Sequence, residues 1–297
     1  MVLDYKTKRV LKVLSLLFVM VVLTGCTSNL DSDGQLIASR AITESTVWSW
    51  DAGWFDFLLV IPICKAVLFT GELFGNYALG VICATIIINI ITLPIMIKST
   101  VSSQKMQMIQ PEIDKIQRKY KGRKDQASQM RLSNELTSLY KKNDVSMLAS
   151  LTTFLTLPIM IAMWQSVQRL EILYTTEFLG FNLGADPLDF IMQFDIKYII
   201  LIAIVAVSQF FSMEMTSIMA KRNPHYKKSS AMDQMKTMNR MMVLMIVWFA
   251  VTFPTAMSFY WITTSLITMG RTVYIQIYHI EKIKKKVHDT NTNYLNK

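Results

Sequence analysis

The sequence predicts an all-α integral membrane protein with five transmembrane helices around a hydrophilic groove, a cytoplasmic helical hairpin and an outer amphipathic helix. Hydrophobic residues make up 52% of its 297 residues and charged residues only 18%, which is too apolar for an ordinary soluble domain. Several apolar runs approach the roughly 20 residues that a membrane-spanning helix needs. The net charge of +10 comes from basic stretches between these runs, which indicates cytoplasmic loops rather than a nucleic-acid-binding surface.

The N-terminus, residues 1–25, has the pattern of a signal peptide. A charged start is followed by the apolar stretch 13–23 and by the small residues that precede a cleavage site. The segment LTGC, which ends at Cys26, resembles the lipobox of bacterial lipoproteins, in which the Cys is lipidated and becomes the mature N-terminus. We therefore expect a lipid anchor at Cys26 on the outer face of the membrane, followed by an outer linker at 26–49. The alternative is an unmodified Cys after an ordinary signal peptide.

Four apolar segments supply the candidate membrane spans. Residues 73–98, 145–168 and 196–218 are nearly free of charge and are predicted to be transmembrane segments 1, 2 and 3. The fourth apolar segment, between about residues 241 and 270, is long enough to be one span or parts of two, and Pro254 offers a break in its middle.

Loop charge decides between these two possibilities. Residues 98–142 hold eleven Lys or Arg against four acids, and residues 221–240 hold six against one. Residues 169–197 instead hold five acids and two basic residues. The positive-inside rule places the first two regions and the basic tail in the cytoplasm, so an even number of spans must separate the second region from the tail. The predicted segments are then an outer loop at 169–195, a cytoplasmic loop at 219–236, transmembrane segment 4 at 237–253, transmembrane segment 5 at 256–280 and a tail at 281–297.

Two further segments are neither spans nor simple loops. Residues 50–72 are apolar and aromatic but are interrupted by Asp56, Pro62 and Lys65. This pattern favours an outer amphipathic helix in the membrane interface over a sixth span. Residues 99–144 are predicted to form a helical hairpin around the turn KGRKD, because an apolar residue recurs at helical spacing on each side of it. These residues are Ile109, Ile113, Ile116 and Tyr120 before the turn, and Leu132, Leu136 and Leu139 after it.

Polar residues inside the predicted spans are candidates for a functional site, because polar groups at membrane depth usually face a bundle interior or a watery cavity. Thr85, Asn89 and Thr92 share one face of the first span, at i, i+4 and i+7. Gln209 in the third span and Arg271 in the fifth are also costly to bury in lipid. A shared hydrophilic groove is our interpretation, and helix–helix hydrogen bonding is the alternative.

The sequence offers little for catalysis. Its three His residues lie in predicted loops or at a span end, so they assemble neither a Ser–His pair nor a metal site within the membrane. We expect no enzyme activity, no cofactor and no metal.

From Trp48 to about residue 285 the chain resembles the YidC family of membrane protein insertases, in the five-span lipoprotein form of Gram-positive bacteria. The resemblance is carried by the lipobox, the outer helix and the charged hairpin, together with four segments in a fixed order. These are NYALGVICATIIINIITLPIMIK (76–98), LPIMIAMWQSVQR (157–169), FLGFNLGADP (178–187) and FPTAMSFYWITTSLITMGRTVYIQ (253–276).

The resemblance implies a multi-pass protein of the cell membrane whose groove is open to the cytoplasm and to lipid but closed toward the outside. The groove would hold the polar segment of a nascent membrane protein while the apolar segment partitions into the bilayer. The expected partners are nascent membrane proteins and the lipid bilayer, together with the ribosome and the general secretion channel. No small-molecule substrate is expected.

One groove position departs from the family pattern. The family usually carries an arginine where this chain has Asn89, and an amide can form hydrogen bonds but cannot attract charge. Arg271 stands where relatives commonly have an uncharged residue, so it either supplies the missing charge or extends to the cytoplasmic headgroups. Trp261 matches an aromatic motif of the last span and is expected to line the groove, and Gln209 is a weaker correspondence.

Two other functions compete with an insertase. An assembly chaperone that depends on the general secretion channel needs no charged groove, which fits Asn89. A small-solute transporter or channel predicts inverted repeats or broken helices near the bilayer centre, and the sequence has neither feature.

Overall fold

The computed structural model describes residues 29, 36–123, 125–143, 145, 151–221 and 230–280, and within them the chain is mostly helical. The predicted signal peptide, Cys26 and the basic tail lie outside the described residues, as does the centre of the loop predicted at 219–236.

The first two long helices pack against each other. Helix α1, Ile61–Phe74, is preceded by a single π-helical turn at Asp56–Val60. Gly75 has a φ of 65°, a left-handed conformation that glycine adopts without strain, and it ends α1. Helix α2, Tyr77–Met108, follows and is 32 residues long, or about 48 Å. The structure therefore begins the second helix four residues after the predicted start of transmembrane segment 1 and continues it ten residues beyond the predicted end.

The α1–α2 contact depends on two glycines. A Cβ atom added at Gly80 would lie 2.5 Å from the carbonyl oxygen of Val67, and one at Gly71 would lie 2.3 Å from the ring of Tyr77. Thr70 also donates its hydroxyl hydrogen to the carbonyl of Gly80, at 3.3 Å. The two glycines leave room for this contact, so the helices pack closely near their shared turn.

A separate helical hairpin follows α2. Helices α3, Gln110–Lys119, and α4, Gln126–Lys142, surround their own small core. Apolar residues from both predicted stripes meet there, namely Ile109, Ile113, Ile116, Leu136 and Leu139. The carboxylate of Asp125 caps α4 by accepting a hydrogen bond from the Ser128 backbone N–H at 2.8 Å.

Helix α5, Leu151–Arg169, leads into a compact connection. The connection contains a 3₁₀ turn at Glu171–Thr175, a two-stranded antiparallel pair and the short helix α6, Pro187–Met192. The strands are β1, Glu177–Phe178, and β2, Phe181–Asn182, with Glu177 opposite Asn182 and Phe178 opposite Phe181.

Three long helices complete the bundle. They are α7, Ile196–Lys221, α8, Ser230–Thr252, and α9, Thr255–Ile275, which continues into a π-helical turn at Gln276–Ile280. The break between α8 and α9 falls at Phe253 and Pro254, where the sequence predicts a turn. Proline explains the break, because it cannot supply the backbone N–H that a continuing helix requires.

Three helices in the described part of the chain are long and apolar enough to cross a membrane: Asp56–Phe74, Tyr77–Ser103 and Ile196–Met215. The second and third correspond to predicted transmembrane segments 1 and 3. The first overlaps most of residues 50–72, which we predict to be an outer amphipathic helix, so length and composition do not separate an interfacial helix from a span here. The count of five spans stays a prediction.

Candidate functional site

A cavity of about 470 Å³ lies inside the bundle and is lined by residues of α2, α5, α7, α8 and α9. It lies at the end of the bundle that carries the hairpin, because its lining includes Ser99 and Ser103 before the hairpin and Ser217 near the end of α7. More than half of its lining residues are polar or charged. Apolar atoms still form most of the lining surface. Polar side chains inside a membrane bundle usually face its interior or a watery cavity, so these residues make the cavity a candidate for a hydrated site.

Two of the described lining residues are cations, Arg271 on α9 and Lys236 on α8, and no Asp or Glu is among them. The Nε atom of Arg271 is buried and finds no hydrogen-bond partner in the described part of the chain. The ion pairs found there, one in the hairpin and one between Asp56 and Arg169, do not involve Arg271. At Arg271 the cavity therefore presents positive charge that the described lining residues do not neutralise.

Hydroxyl groups in the cavity are also unpartnered. Ser265 on α9 is only 1% exposed, and its Oγ, like that of Ser217 on α7, is buried without a hydrogen-bond partner among the described residues. Buried polar atoms are nearly always paired with protein or water. These groups can therefore bind water or the polar groups of a guest chain.

Aromatic rings close the cavity away from the hairpin. Trp261 and Phe249 belong to the lining, and both pack on Phe253. The centroid of the Phe253 ring lies 6.2 Å from that of Trp261 and 5.0 Å from that of Phe249. Trp164 of α5 stacks on the same Phe253 at 5.3 Å. The side-chain amide of Gln209 donates a hydrogen bond to the Trp261 carbonyl oxygen at 3.4 Å. This bond links α7 to α9 at the level of the aromatic rings.

The connection between α5 and α7 covers this closed end. The backbone N–H groups of Thr255 and Ala256 donate to the carbonyls of Ala185 and Leu183, each at 2.9 Å. The Thr255 hydroxyl also donates to the Ala185 carbonyl, at 2.8 Å. The first turn of α9 is thus hydrogen-bonded to the loop that covers this end of the bundle.

The structure brings three of the six predicted groove residues into this cavity: Gln209, Trp261 and Arg271. Thr85, Asn89 and Thr92 are not part of its lining. Each of them donates a hydrogen bond to a carbonyl of its own helix, the Asn89 amide to Thr85 at 2.9 Å. Polar side chains satisfied in this way need no partner from a neighbouring helix.

These three residues nevertheless lie on the same face of α2 as two residues that do line the cavity, Ser99 and Ser103. Thr85, Asn89, Thr92, Ser99 and Ser103, here called the α2 polar stripe, are separated by intervals of four, three, seven and four residues. Ser99 lies about 15 Å from Asn89 along the helix axis. Ser99 and Ser103 were not among the predicted groove residues, because they follow Lys98, where the predicted span ends. Their continuation of the same spacing was the available signal.

The described residues hold no group of three or more His, Cys, Asp or Glu that could bind a metal ion.

Comparison with known proteins identifies relatives over most of the chain. The sequence model of the family described as 60Kd inner membrane protein matches residues 69–285. Membrane protein insertase YidC 2 of Bacillus anthracis is 34% identical over 232 residues, which is 77% of this chain and 81% of that protein. Membrane protein insertase MisCA of Bacillus subtilis is 32% identical over 279 residues, or 93% of this chain and 94% of that protein. The resemblance drawn from the sequence is confirmed.

A solved structure supports the fold. The crystal structure of an active YidC insertase with its first transmembrane domain resolved superposes with a TM-score of 0.50 at 20% sequence identity. The match covers 74% of this chain and 47% of that one, so this chain spans about half of the crystallised protein. At this identity the likeness concerns the fold alone.

Proposed function

We propose that this chain, which belongs to the 60Kd inner membrane protein family, is a membrane protein insertase. It moves short-tailed membrane proteins from the cytoplasm into the cell membrane and assists their folding. The observation that carries this proposal is a cavity at the hairpin end of the bundle, with positive charge at Arg271 that no described lining residue neutralises and with aromatic rings at its other end. We assign no catalytic step, because partitioning of an apolar segment into lipid supplies the driving force.

In the proposed mechanism, the cavity shortens the path over which a polar tail must lose its hydration. A polar group moved into hydrocarbon without a hydrogen-bond partner costs about 2–7 kcal/mol. The hydroxyl of Ser265 and the guanidinium of Arg271 offer partners to such a tail inside the bundle. The α2 polar stripe would extend this path from the cavity toward Asn89 and Thr85.

We further propose that Arg271 supplies the charge that the family usually places at the position of Asn89. The positions differ in depth, because Arg271 lies in the last turns of α9 and Asn89 near the centre of predicted transmembrane segment 1. An acidic tail would therefore meet the positive charge at the mouth of the groove. Deeper in, it would meet only hydrogen-bonding groups.

The proposed topology is the one that the sequence predicts. Five spans cross the membrane, with a lipidated Cys26 outside and the hairpin and basic tail in the cytoplasm. Nascent membrane proteins are the substrates, and the ribosome and the general secretion channel are the proposed partners. The seal formed by the α5–α7 connection on α9 then faces outward, which suits a groove that must not leak.

Reconstitution into liposomes tests the function. The purified full-length protein, without the secretion channel, would receive two single-span substrates that differ only in tail charge, one acidic and one neutral. Protease protection of the tail measures insertion, and empty liposomes give the background. We expect both tails to be inserted well above that background. Insertion of neither tail, with rescue when the channel is added, would instead establish the channel-dependent chaperone.

A cavity-filling pair of variants links this activity to the cavity. Ser265→Phe places a ring in the cavity, whereas Leu266→Phe, at the adjacent residue, which is 58% exposed, leaves the cavity open. We expect Ser265→Phe to lower insertion of both tails at least fivefold and Leu266→Phe to lower it less than twofold. If the two variants insert both tails equally well and thermal unfolding shows that both are folded, insertion does not depend on this cavity.

A further inference from the structure

The connection between α5 and α7 contains two tight turns, and each holds a bulky apolar residue in a left-handed backbone conformation. Leu179 has a φ of 53° and Phe194 a φ of 61°, and they are the two non-glycine residues with a positive φ in the described part of the chain. A Cβ atom crowds the backbone in this conformation, so glycine and, less often, asparagine usually adopt it. Leu179 and Phe194 are therefore not the residues that backbone geometry favours at these positions.

The hydrogen bonds identify both turns. Leu179 is the first residue of the two-residue loop between β1 and β2, and the glycine after it also has a positive φ. This is the pattern of a type I′ hairpin turn, in which asparagine is common at the first position. Phe194 follows α6, and its backbone N–H donates to the Ile191 carbonyl at 2.9 Å. The N–H of Asp195 donates to the Phe190 carbonyl, also at 2.9 Å. This pair of bonds ends a helix at a position where glycine is usual.

Packing inside the protein does not explain these two residues. Phe194 is 83% exposed and Leu179 is 74% exposed. Met192, the last residue of α6, is 73% exposed as well. Backbone strain at an exposed side chain indicates a role for that side chain outside the folded chain. These three residues are here called the apolar tip.

The apolar tip lies beside the first turn of α7. The ring of Tyr198 stacks on Phe190 of α6, with centroids 4.2 Å apart, and meets Phe181 of β2 edge-on at 5.2 Å. A Cβ atom added at Gly180, next to Leu179 in the hairpin turn, would lie 3.5 Å from Nζ of Lys197. One turn of α7 thus holds both the hairpin and α6.

An exposed apolar face of α7 begins at the same level. Ile196, the first residue of α7, is 70% exposed. Exposed apolar residues then recur at helical spacing along one face of α7, namely Ile199, Ile200, Ile204, Val207 and Phe211. This part of α7 is long and apolar enough to cross a membrane. An outward apolar face on such a helix contacts acyl chains.

We propose that the apolar tip inserts into the bilayer beside the start of α7, at the boundary between headgroups and acyl chains. Its continuity with the exposed face of α7 identifies the occupant as lipid rather than a protein partner. Lys197, which is exposed at the same level, can extend to the lipid phosphates while the apolar side chains stay below them. The sequence predicts only an outer loop here. The leaflet, the outer one, follows from the proposed topology.

Fluorescence quenching by brominated lipids tests this position. Phe194→Trp and Leu179→Trp each add one tryptophan to the full-length protein in nanodiscs, and the difference from the emission of the unsubstituted protein reports the new ring. We expect bromines at the 6,7 positions of the acyl chain to quench this difference emission at least twofold more than bromines at the 11,12 positions. Acrylamide, a quencher dissolved in water, should quench it weakly. Met192→Trp, at a residue with helical backbone, repeats the measurement in case a turn variant fails to fold.

Two matched variants calibrate the depth. Ile204→Trp lies about 12 Å beyond Ile196 along the axis of α7, and its difference emission should favour the deeper bromines. Lys121→Trp, at an exposed residue in the turn between α3 and α4, should be quenched strongly by acrylamide.

Three results at the apolar tip would overturn the proposal. The first is strong quenching by acrylamide without quenching by either lipid, which would leave the tip in water. The second is equal quenching by shallow and deep bromines, which would contradict a position at the headgroup boundary. The third is protection from acrylamide without quenching by either lipid, because a second copy of the chain would then cover the tip. Insertion of substrates is not part of this measurement, so the proposed insertase function stands or falls separately.

Discussion

The carboxylate of Asp56 and the guanidinium of Arg169 form an ion pair of 2.6 Å that joins the turn before α1 to the last residue of α5. The two side chains are 17 and 12% exposed. Arg169 also donates from Nε to the Arg40 carbonyl at 2.7 Å, so one guanidinium connects three segments of the chain.

Replacing Asp56 with Asn should destabilise the protein. The variant keeps the shape of the side chain but removes the charge that pairs with a mostly buried guanidinium. Hydrogen bonds to charged groups contribute about 1.5–3 kcal/mol, and we expect a loss of stability in this range. Thermal unfolding in nanodiscs measures it. Glu171→Gln makes the same carboxylate-to-amide change at an exposed residue outside this ion pair, and it should have almost no effect.

Replacing Gly80 with Ala should separate α1 from α2. The added Cβ would lie 2.5 Å from the Val67 carbonyl oxygen, a backbone atom that cannot rotate away. Overpacking of this kind costs about 1–3 kcal/mol. Gly270→Ala is the control, because no described atom outside its own helix turn lies within 4 Å of the position that its methyl group would take, and alanine favours a helix over glycine. If thermal unfolding ranks the two variants the other way, the close α1–α2 approach is wrong.

Replacing Arg271 with Gln should lower insertion of an acidic tail about fivefold, or about 1 kcal/mol, and leave a neutral tail within twofold. The reason is that the cavity loses a cation that no described lining carboxylate neutralises. The liposome assay measures both tails in parallel. Arg271→Lys should retain most of the preference. Arg240→Gln, at an exposed position outside the lining, should keep all of it. An unchanged ratio of acidic to neutral insertion in Arg271→Gln would remove this residue from charge recognition.

Replacing Asn89 with Leu should affect both tails equally. The amide carries no charge, so its loss makes the α2 polar stripe less polar without changing electrostatic attraction. Removing one polar group from the path should lower insertion about threefold. Ile87→Leu, one exposed apolar residue exchanged for another, is the control. A selective loss of the acidic tail in Asn89→Leu would contradict this division of roles between Asn89 and Arg271.

The helical hairpin formed by α3 and α4 should loosen in acid. Hydrogen bonds from Lys119 and Tyr120 hold the pKa of Glu135 below its ordinary value of 4.5. The Ser128 backbone N–H holds the pKa of Asp125 below 3.8. A carboxyl group whose pKa is lower in the folded state stabilises the fold above its ordinary pKa, and this stability is lost as the pH falls through the lowered value.

Hydrogen–deuterium exchange of the full-length protein, corrected for intrinsic rates, should therefore show constant protection of α3 and α4 above about pH 5 and declining protection below about pH 4. In Glu135→Gln the decline should be smaller, since one of the two carboxyl groups no longer titrates. Identical pH profiles for the two proteins would show that the Lys119–Glu135 pair does not stabilise the hairpin.

Hydrophobic periodicity predicted much of the helical fold that the structure describes. The spacing of Ile109, Ile113 and Leu139 indicated two apolar faces, and the structure brings them into one small core. Pro254 marked the break between α8 and α9. The sequence predicted the helix ends less well. Lys98 is charged but does not break a helix, so α2 continues past it to Met108. Gly75 ends α1 through its left-handed backbone, which composition alone does not reveal.

The sequence predicted only part of the site. Gln209 and Arg271 stood out as polar groups within apolar runs, whereas Trp261 was indicated only by the family resemblance. All three line the cavity. Lys236 did not stand out, because it follows a basic loop and resembles one more loop charge. Asn89 did stand out, yet its side chain bonds back to its own helix. Sequence identifies which residues share a helix face, but not how far a cavity extends along that face.

The hydrogen bonds between α9 and the α5–α7 connection set an order for the protein's own biogenesis. Residues 183 and 185 are synthesised about seventy residues before their partners, Ala256 and Thr255. Until the last helix arrives, the carbonyls of Leu183 and Ala185 have no donor from it, and the aromatic packing around Phe253 lacks Trp261. A chain that stops before α9 therefore lacks the hydrogen bonds and the aromatic contact that hold this end of the bundle together.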